Sequence, residues 1–280
     1  TGWYSENGQY LTNQFFGMKA NRYLHEHGIS HRTLAKVVNK NLRNGALNPN
    51  AFRRKPMDED AILDSPMLNY PLTQYMFCSP DEGAAAVVMC RADLAHKYTD
   101  KPVFVRAVEV RTRKYGAYEV NTTFAPVDED VAPTVYASRA AFEKAGIEPS
   151  EVDVIQLQDT DAGAEIIHMA EAGFCADGEQ EKLIADGATE IGGTMPVNTD
   201  GGLLANGEPI GASGLRQLHE IVRQLRGEAG DPHHEELVEV AGEDRQEARP
   251  LQQRQVLVLR QLQHALVEAQ PRQLPVEEPV

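Results

Sequence analysis

Four carboxylates stand in two short blocks that could carry acid–base chemistry. Asp159 and Asp161 alternate in Gln158-Asp-Thr-Asp161, and Asp200 and Glu208 lie within Asn198-Thr-Asp-Gly-Gly-Leu-Leu-Ala-Asn-Gly-Glu-Pro-Ile-Gly-Ala-Ser-Gly214. The second block holds five glycines in seventeen residues and runs into a helix-like segment, Leu215 to Arg226. Glycine reaches dihedrals closed to other residues, so this clustering predicts a shaped loop whose amides approach something bound. A pair of tight turns feeding a helix is the structural alternative. No Gly-Lys-Ser or Gly-Lys-Thr follows, and the dinucleotide pattern with its preceding strand is absent. Gly201, Gly202, Gly211 and Gly214, with Ser213, are the expected contacts to a carbonyl oxygen or cofactor, because the following helix would direct its free amides there. A carboxylate, with an ordinary pKa of about 4, becomes a base toward an alcohol only if burial or a neighbouring negative charge raises it.

Other polar residues are weaker signals. Asn198 and Asn206 either hold the loop or touch the ligand. His168 and Glu171 are three apart on one helix, but no third metal ligand stands out, and no metal is expected. His219 reads as a packing or surface residue, and His233-His234 as solvent-exposed.

The chain's 280 residues allow one large or two smaller units, and its formal net charge of -15, from 42 acidic against 27 basic residues, argues against nucleic-acid or anionic-membrane partners. Cys78, Cys90 and Cys175 have neither disulfide nor metal spacing, which fits a reducing cytoplasm. There is no signal-like start and no apolar stretch of twenty residues. The opening Thr1, without an initiator methionine, reads as a fragment or processed product.

Positioning elements follow from periodicity. Residues 17 to 45 predict helix, broken by a turn before Ile29, with Ser30 as a cap and Leu34, Val37, Val38 and Leu42 on one face. Asn48-Pro49-Asn50 ends it, and residues 46 to 76 read as irregular, a lid or pocket wall. Gly83 to Cys90 reads as a buried strand, Val103 to Val110 as an alternating strand, Ala132 to Ala145 as helix, Val152 to Leu157 as strand and Ala164 to Ala172 as helix. The alternation indicates an α/β architecture. The glutamine-rich tail from Asp231 changes character: it reads as disordered, divergent or frame-shifted, with Val256 to Val267 as an amphipathic helix in the alternative.

The block order resembles a known family. Gly28-Ile-Ser30, Leu34 to Asn44, Leu47-Asn-Pro-Asn50, Ser65 to Leu72, Cys78-Ser-Pro-Asp-Glu-Gly-Ala-Ala-Ala-Val-Val88, Ile155 to Glu165, Ala170 to Cys175 and the Asn198 to Gly214 run are similar to sterol-carrier-type thiolases over roughly residues 10 to 230. The resemblance implies a thiolase-like layered fold, incomplete here and lacking much of the N-terminal half. It divides the chain into 1–80 with a loop or lid region, 81–102 closing the N-terminal half, a C-terminal thiolase-like domain at 103–230, and the atypical tail 231–280.

Thiolases of this type use two cysteines and two histidines. The chain begins after the first cysteine, Gln158 stands where one histidine is expected, and Gly207-Glu208-Pro209 replaces Gly-His-Pro. The second cysteine's block is absent. Thiolysis needs those groups, so the substitutions point elsewhere. Gln-Asp-Thr-Asp with Asn-Gly-Glu-Pro looks like the thiolase-like aldolases of steroid side-chain degradation, called lipid-transfer-protein aldolases. That resemblance implies retro-aldol cleavage of a β-hydroxyacyl-CoA to a ketone and propionyl-CoA, with Asp200, Glu208, Asp159 and Asp161 as the acidic candidates. Coenzyme A enters as part of the acyl-CoA substrate, and no separate cofactor is implied. A homodimer and a small zinc-ribbon, OB-like partner subunit are the implied assembly. A tyrosine as proton carrier stays open among Tyr70, Tyr75, Tyr115, Tyr118 and Tyr136. An acyl-CoA thiolase or acyltransferase, and a non-catalytic lipid- or CoA-binding subunit, are the alternatives.

Overall fold

The computed structural model describes residues 6, 11–112, 131–229 and 255–258. The expectations for Tyr115, Tyr118, His233, His234 and most of the tail therefore lie outside the described residues.

The first two long helices are α1, Leu11–His27, and α2, His31–Leu47. Gly28, at φ 68°, makes the turn between them, and Ser30 occupies the N-cap position of α2 in extended backbone. The Ser30 hydroxyl does not bond a helix amide; it lies 3.1 Å from the Thr33 hydroxyl instead. Asn48 ends α2, as its Asn-Pro sequence requires. Leu34, Val37, Val38 and Leu42 are all buried, and so are Lys40, Asn41 and Asn44 on another face of the same helix. That helix is enclosed nearly all round.

The stretch from 46 to 76 is less irregular than its prolines suggest. It contains α3, Glu59–Leu63, capped by the Asp58 carboxylate on the Ala61 amide, then the antiparallel pair β1, Met67–Asn69, and β2, Leu72–Thr73. Ile62, Leu72 and Met76 from this stretch enter the core formed by α1 and α2.

Further along come α4, Pro133–Ala145, which ends at left-handed Gly146, and β3, Val152–Gln156. Next are α5, Ala162–Glu171; α6, Gln180–Ala185; α7, Gly202–Asn206; and α8, Ser213–Arg226. Last is β4, Gln255–Val258, which pairs in parallel with β3. The expected helix over Val256 to Val267 is thus replaced at 255–258 by strand, where a β3 edge supplies hydrogen-bond partners. The α/β character rests on β3 and β4 with α5 and α8 beside them, while the regular structure among the described residues is mostly helical. One core joins α1, α2, α5 and α7; a second joins Phe142, Val152, Ile155, Leu157, Met169 and Val197.

Two predicted strands are corrected. Gly83 to Cys90 and Val103 to Val110 lie outside any strand, and Val88 and Met89 are 102% and 69% exposed. Local alternation and small side chains favour extended backbone, but a strand also needs a neighbour for its N–H and C=O groups. Among the described residues neither segment has one.

Candidate active site

A strap, Phe77 to Pro80, brings the two sequence blocks together. The Cys78 amide donates to the Thr160 carbonyl at 2.9 Å, and the Glu208 amide donates to the Ser79 carbonyl at 2.9 Å. Phe77 bridges Asp161 and Pro80 bridges Glu208 in the same run. Arg53 clamps the strap: Nη1 donates to the Phe77 carbonyl at 3.0 Å and the Leu204 carbonyl at 3.2 Å, and Nη2 to the Ser79 hydroxyl at 2.8 Å.

At this junction the Gln158 side-chain amide donates to Glu208 Oε1 at 2.7 Å, and the Cys78 thiol donates to Oε2 at 3.4 Å. Gln158 and Glu208 are half-buried, whereas Cys78 is buried. Burial, and next the Glu208 charge, push the Cys78 thiol up, so it stays protonated as a donor. Behind Gln158, His168 Nδ1 lies 2.8 Å from its backbone carbonyl. Asp81 adds a further acid beside Gly207, and burial raises its carboxyl. The two residues standing where imidazoles were expected therefore touch each other.

The other acidic candidates are occupied by the fold. Asp159 is fully buried and accepts from the Leu203 and Leu204 amides at 2.6 and 3.2 Å and from Asn41 at 3.0 Å. Burial, then the Glu165 charge, raise its carboxyl well above the ordinary range, against the pull of those amides. Asp161 caps α5 by accepting from the Ala164 amide at 3.0 Å, and burial pushes it up to about 7. Asp200 pairs with Arg216 and accepts from the Gly202 amide at 3.1 Å and from Gln156 at 3.2 Å. Of the four, Glu208 alone combines partial exposure with a carboxylate that no backbone amide engages.

The glycine loop is shaped by contacts inside the chain. The Gly201 amide donates to the Asn198 carbonyl at 2.9 Å and the Gly202 amide to Asp200, so neither is a free donor. Gly201 packs on Gly45 so closely that a Cβ on it would lie 2.8 Å from the Gly45 Cα. Gly211 is exposed with open space around it. Ser213 and Gly214 stand in the first turn of α8, whose amides have no acceptor within the helix. Among the described residues the Ser213 hydroxyl is buried without a partner, as are the Gln217 amide and Arg216 Nε and Nη2.

Beneath the loop runs a buried polar network. Lys40 donates to Glu165 Oε1 at 2.5 Å and to the Val197 carbonyl at 3.0 Å. Glu165 Oε2 accepts from Asn41 and from Asn198, each at 2.8 Å. Asn198, at φ 54°, also accepts from the Leu157 amide at 2.9 Å. Asn206 donates to the Asp200 and Gly202 carbonyls. Both asparagines hold the loop.

Sequence reasoning missed Lys40, Arg53 and Cys78. The apolar periodicity of α2 carries no signal for Lys40, and a cysteine without partner spacing carries none of a carboxylate neighbour. Among the described residues, no His, Cys, Asp and Glu cluster could hold a metal ion, and no helix is long and apolar enough to cross a membrane.

Comparison with known proteins identifies the family. Residues 122–261 match the family described as Thiolase C-terminal domain-like. The chain is 37% identical over 220 residues to acetyl-CoA acetyltransferase of Methanothermobacter thermautotrophicus, covering 77% of this chain and 55% of that protein. It is 31% identical over 216 residues to 17-hydroxy-3-oxo-4-pregnene-20-carboxyl-CoA lyase of Mycobacterium tuberculosis, again covering 77% and 55%. The solved Ltp2-ChsH2(DUF35) aldolase superposes with a TM-score of 0.69 at 23% identity, over 81% of this chain and 59% of that one. The chain thus spans about half the length of the curated relatives it matches. On the matched residues and the shared fold, the chain belongs to the thiolase superfamily and carries its C-terminal-domain-like part.

Proposed function

We propose that the protein cleaves a carbon–carbon bond in a β-hydroxyacyl-CoA thioester by a retro-aldol reaction, with a steroid side chain as the substrate class. The observation that carries this reading is the Gln158–Glu208 contact at 2.7 Å, where an amide and a carboxylate stand in place of two imidazoles. Among the described residues the Glu208 side chain accepts from Gln158 and Cys78, and neither is a histidine. The likeness to a protein named as a carboxyl-CoA lyase, and to one named as an aldolase, supports the same direction.

In this reading Glu208 takes the proton of the β-hydroxyl. The C–O bond becomes a carbonyl, the α–β carbon bond breaks, and its electron pair passes into the thioester as an enolate. A proton returned to the α-carbon completes propionyl-CoA and the ketone. Ser213 and Gly214, at the start of α8, face the role of holding the thioester oxygen; the unpartnered Ser213 hydroxyl supports that role. Asp159 and Asp200 position the loop, and Asp161 caps α5. A homodimer and a small OB-like, zinc-ribbon subunit are the proposed partners, the latter by likeness to the Ltp2-ChsH2(DUF35) aldolase, a two-component assembly by its name.

The test is Glu208→Gln, assayed for ketone and short acyl-CoA release from a steroid β-hydroxyacyl-CoA. Loss of a positioned general base lowers turnover by about 100-fold or more. Full turnover in the variant, or fast thiolysis of acetoacetyl-CoA by the native protein, would overturn the reading.

A further inference from the structure

We propose that Cys78 is a positioning residue for Glu208: its thiol donates to Oε2 while the Gln158 amide donates to Oε1, fixing the plane of the carboxylate at the reacting hydroxyl. The inference rests on the reading of Glu208 as the base, but its central contact can be measured without any turnover.

The geometry is built from two directions. Cys78 and Ser79 are consecutive on the strap, and the amide of Cys78 is held by Thr160 while the carbonyl of Ser79 receives the amide of Glu208. The thiol and the carboxylate are therefore carried by backbone segments already registered against each other. Arg53 fixes the same strap from behind, through the Phe77 carbonyl and the Ser79 hydroxyl. Cys78 is only 6% exposed, so water does not compete well for its proton.

A half-buried glutamate with one donor could still rotate about its terminal bond. Donors on both oxygens remove that rotation and leave the remaining lone pairs as the direction in which a proton can be taken. A thiol suits the place on the strap because it is small and largely apolar, and it is a weaker donor than a hydroxyl. It orients the carboxylate without tying up its basicity as strongly as an ammonium would.

The test uses the full chain and two kinds of readout. In infrared spectra, the S–H band lost in Cys78→Ala is assigned to Cys78. It is expected at lower frequency than a solvent-exposed thiol and should move upward in Glu208→Gln. A band that stays in place in Glu208→Gln overturns the contact.

Turnover then separates positioning from packing. Cys78→Ser keeps a donor and loses the sulfur's apolar bulk, whereas Cys78→Val keeps bulk and loses the donor. Cys78→Ser is expected to hold kcat within about threefold, and Cys78→Val to lower it about tenfold, the scale of one hydrogen bond to a charged group, with KM little changed and the fold intact by thermal melting. The reverse order, with the serine variant impaired and the valine variant normal, would show a packing role and overturn the proposal. Should Glu208→Gln retain full turnover, the base assignment fails with the catalytic half of this proposal, and the infrared shift still decides the thiol contact.

Discussion

Lys40 and Glu165 form an ion pair at 2.5 Å, with side chains 2% and 0% exposed. It joins α2 to α5, and through Asn198 it reaches the glycine loop. Removing one member leaves the other charge without a counter-ion in a dry interior, a loss of about 3–5 kcal/mol for pairs of this kind. Lys40→Met is expected to lower the urea midpoint strongly, and the double variant Lys40→Met, Glu165→Leu to recover part of the loss. Equilibrium unfolding of the single and double variants checks both.

Gly202→Ala tests the loop itself. At φ 59°, a Cβ would lie 2.0 Å from Asp159 Oδ2, so both backbone and neighbour must shift. Gly211→Ala meets open space at an ordinary φ and is expected to change stability by less than about 0.5 kcal/mol. Melting temperatures should separate the two by several degrees; equal values would contradict the described loop.

Acidity enters through Asp161. Burial raises its carboxyl from 3.8 to about 7 in the folded chain, whereas the unfolded chain titrates at about 4. Its contribution to stability is full below about pH 4 and is lost as pH rises to about 7, because the folded state keeps a proton the unfolded state has released. Glu220 moves the same way, up to about 7, through burial and then the charge of Asp200. Asp161→Asn keeps a capping oxygen and is expected to flatten the decline in urea midpoint across that window. An unchanged slope would show that Asp161 is not the group responsible.

Ser213→Ala separates binding from stability. The hydroxyl is buried without a partner, so its removal costs no internal hydrogen bond and is expected to leave the melting temperature level or slightly raised. If it holds the thioester oxygen, turnover falls by about tenfold or more. Activity and melting measured on the same preparation give the two answers.

Helices were the legible part of this sequence. The Leu34, Val37, Val38 and Leu42 spacing and the Asn48-Pro49 stop are local signals, and α2 follows them. So do α4, whose C-terminal Gly146 permits left-handed backbone, and the β3–α5 unit. The Gly83–Cys90 and Val103–Val110 segments were misread because pairing is decided by residues far away in the chain. At the site, the order of the blocks identified Gln158 and Glu208, and Glu208 was among the four acidic candidates. Sequence could not rank those four, since the distinction lies in the amides of Gly202, Leu203, Leu204 and Ala164, which the fold delivers to three of them. The Lys40 ammonium was hidden for a similar reason: an apolar stripe says which face is buried but does not show that a second, polar face is covered too.

The stretches around Val88 and Val108 have a practical consequence. Among the described residues neither pairs with a strand, and each carries exposed apolar side chains, the combination on which foreign strands add. Handling of the isolated polypeptide will be governed by concentration: dilute samples favour single molecules, and crowded ones favour edge-to-edge association.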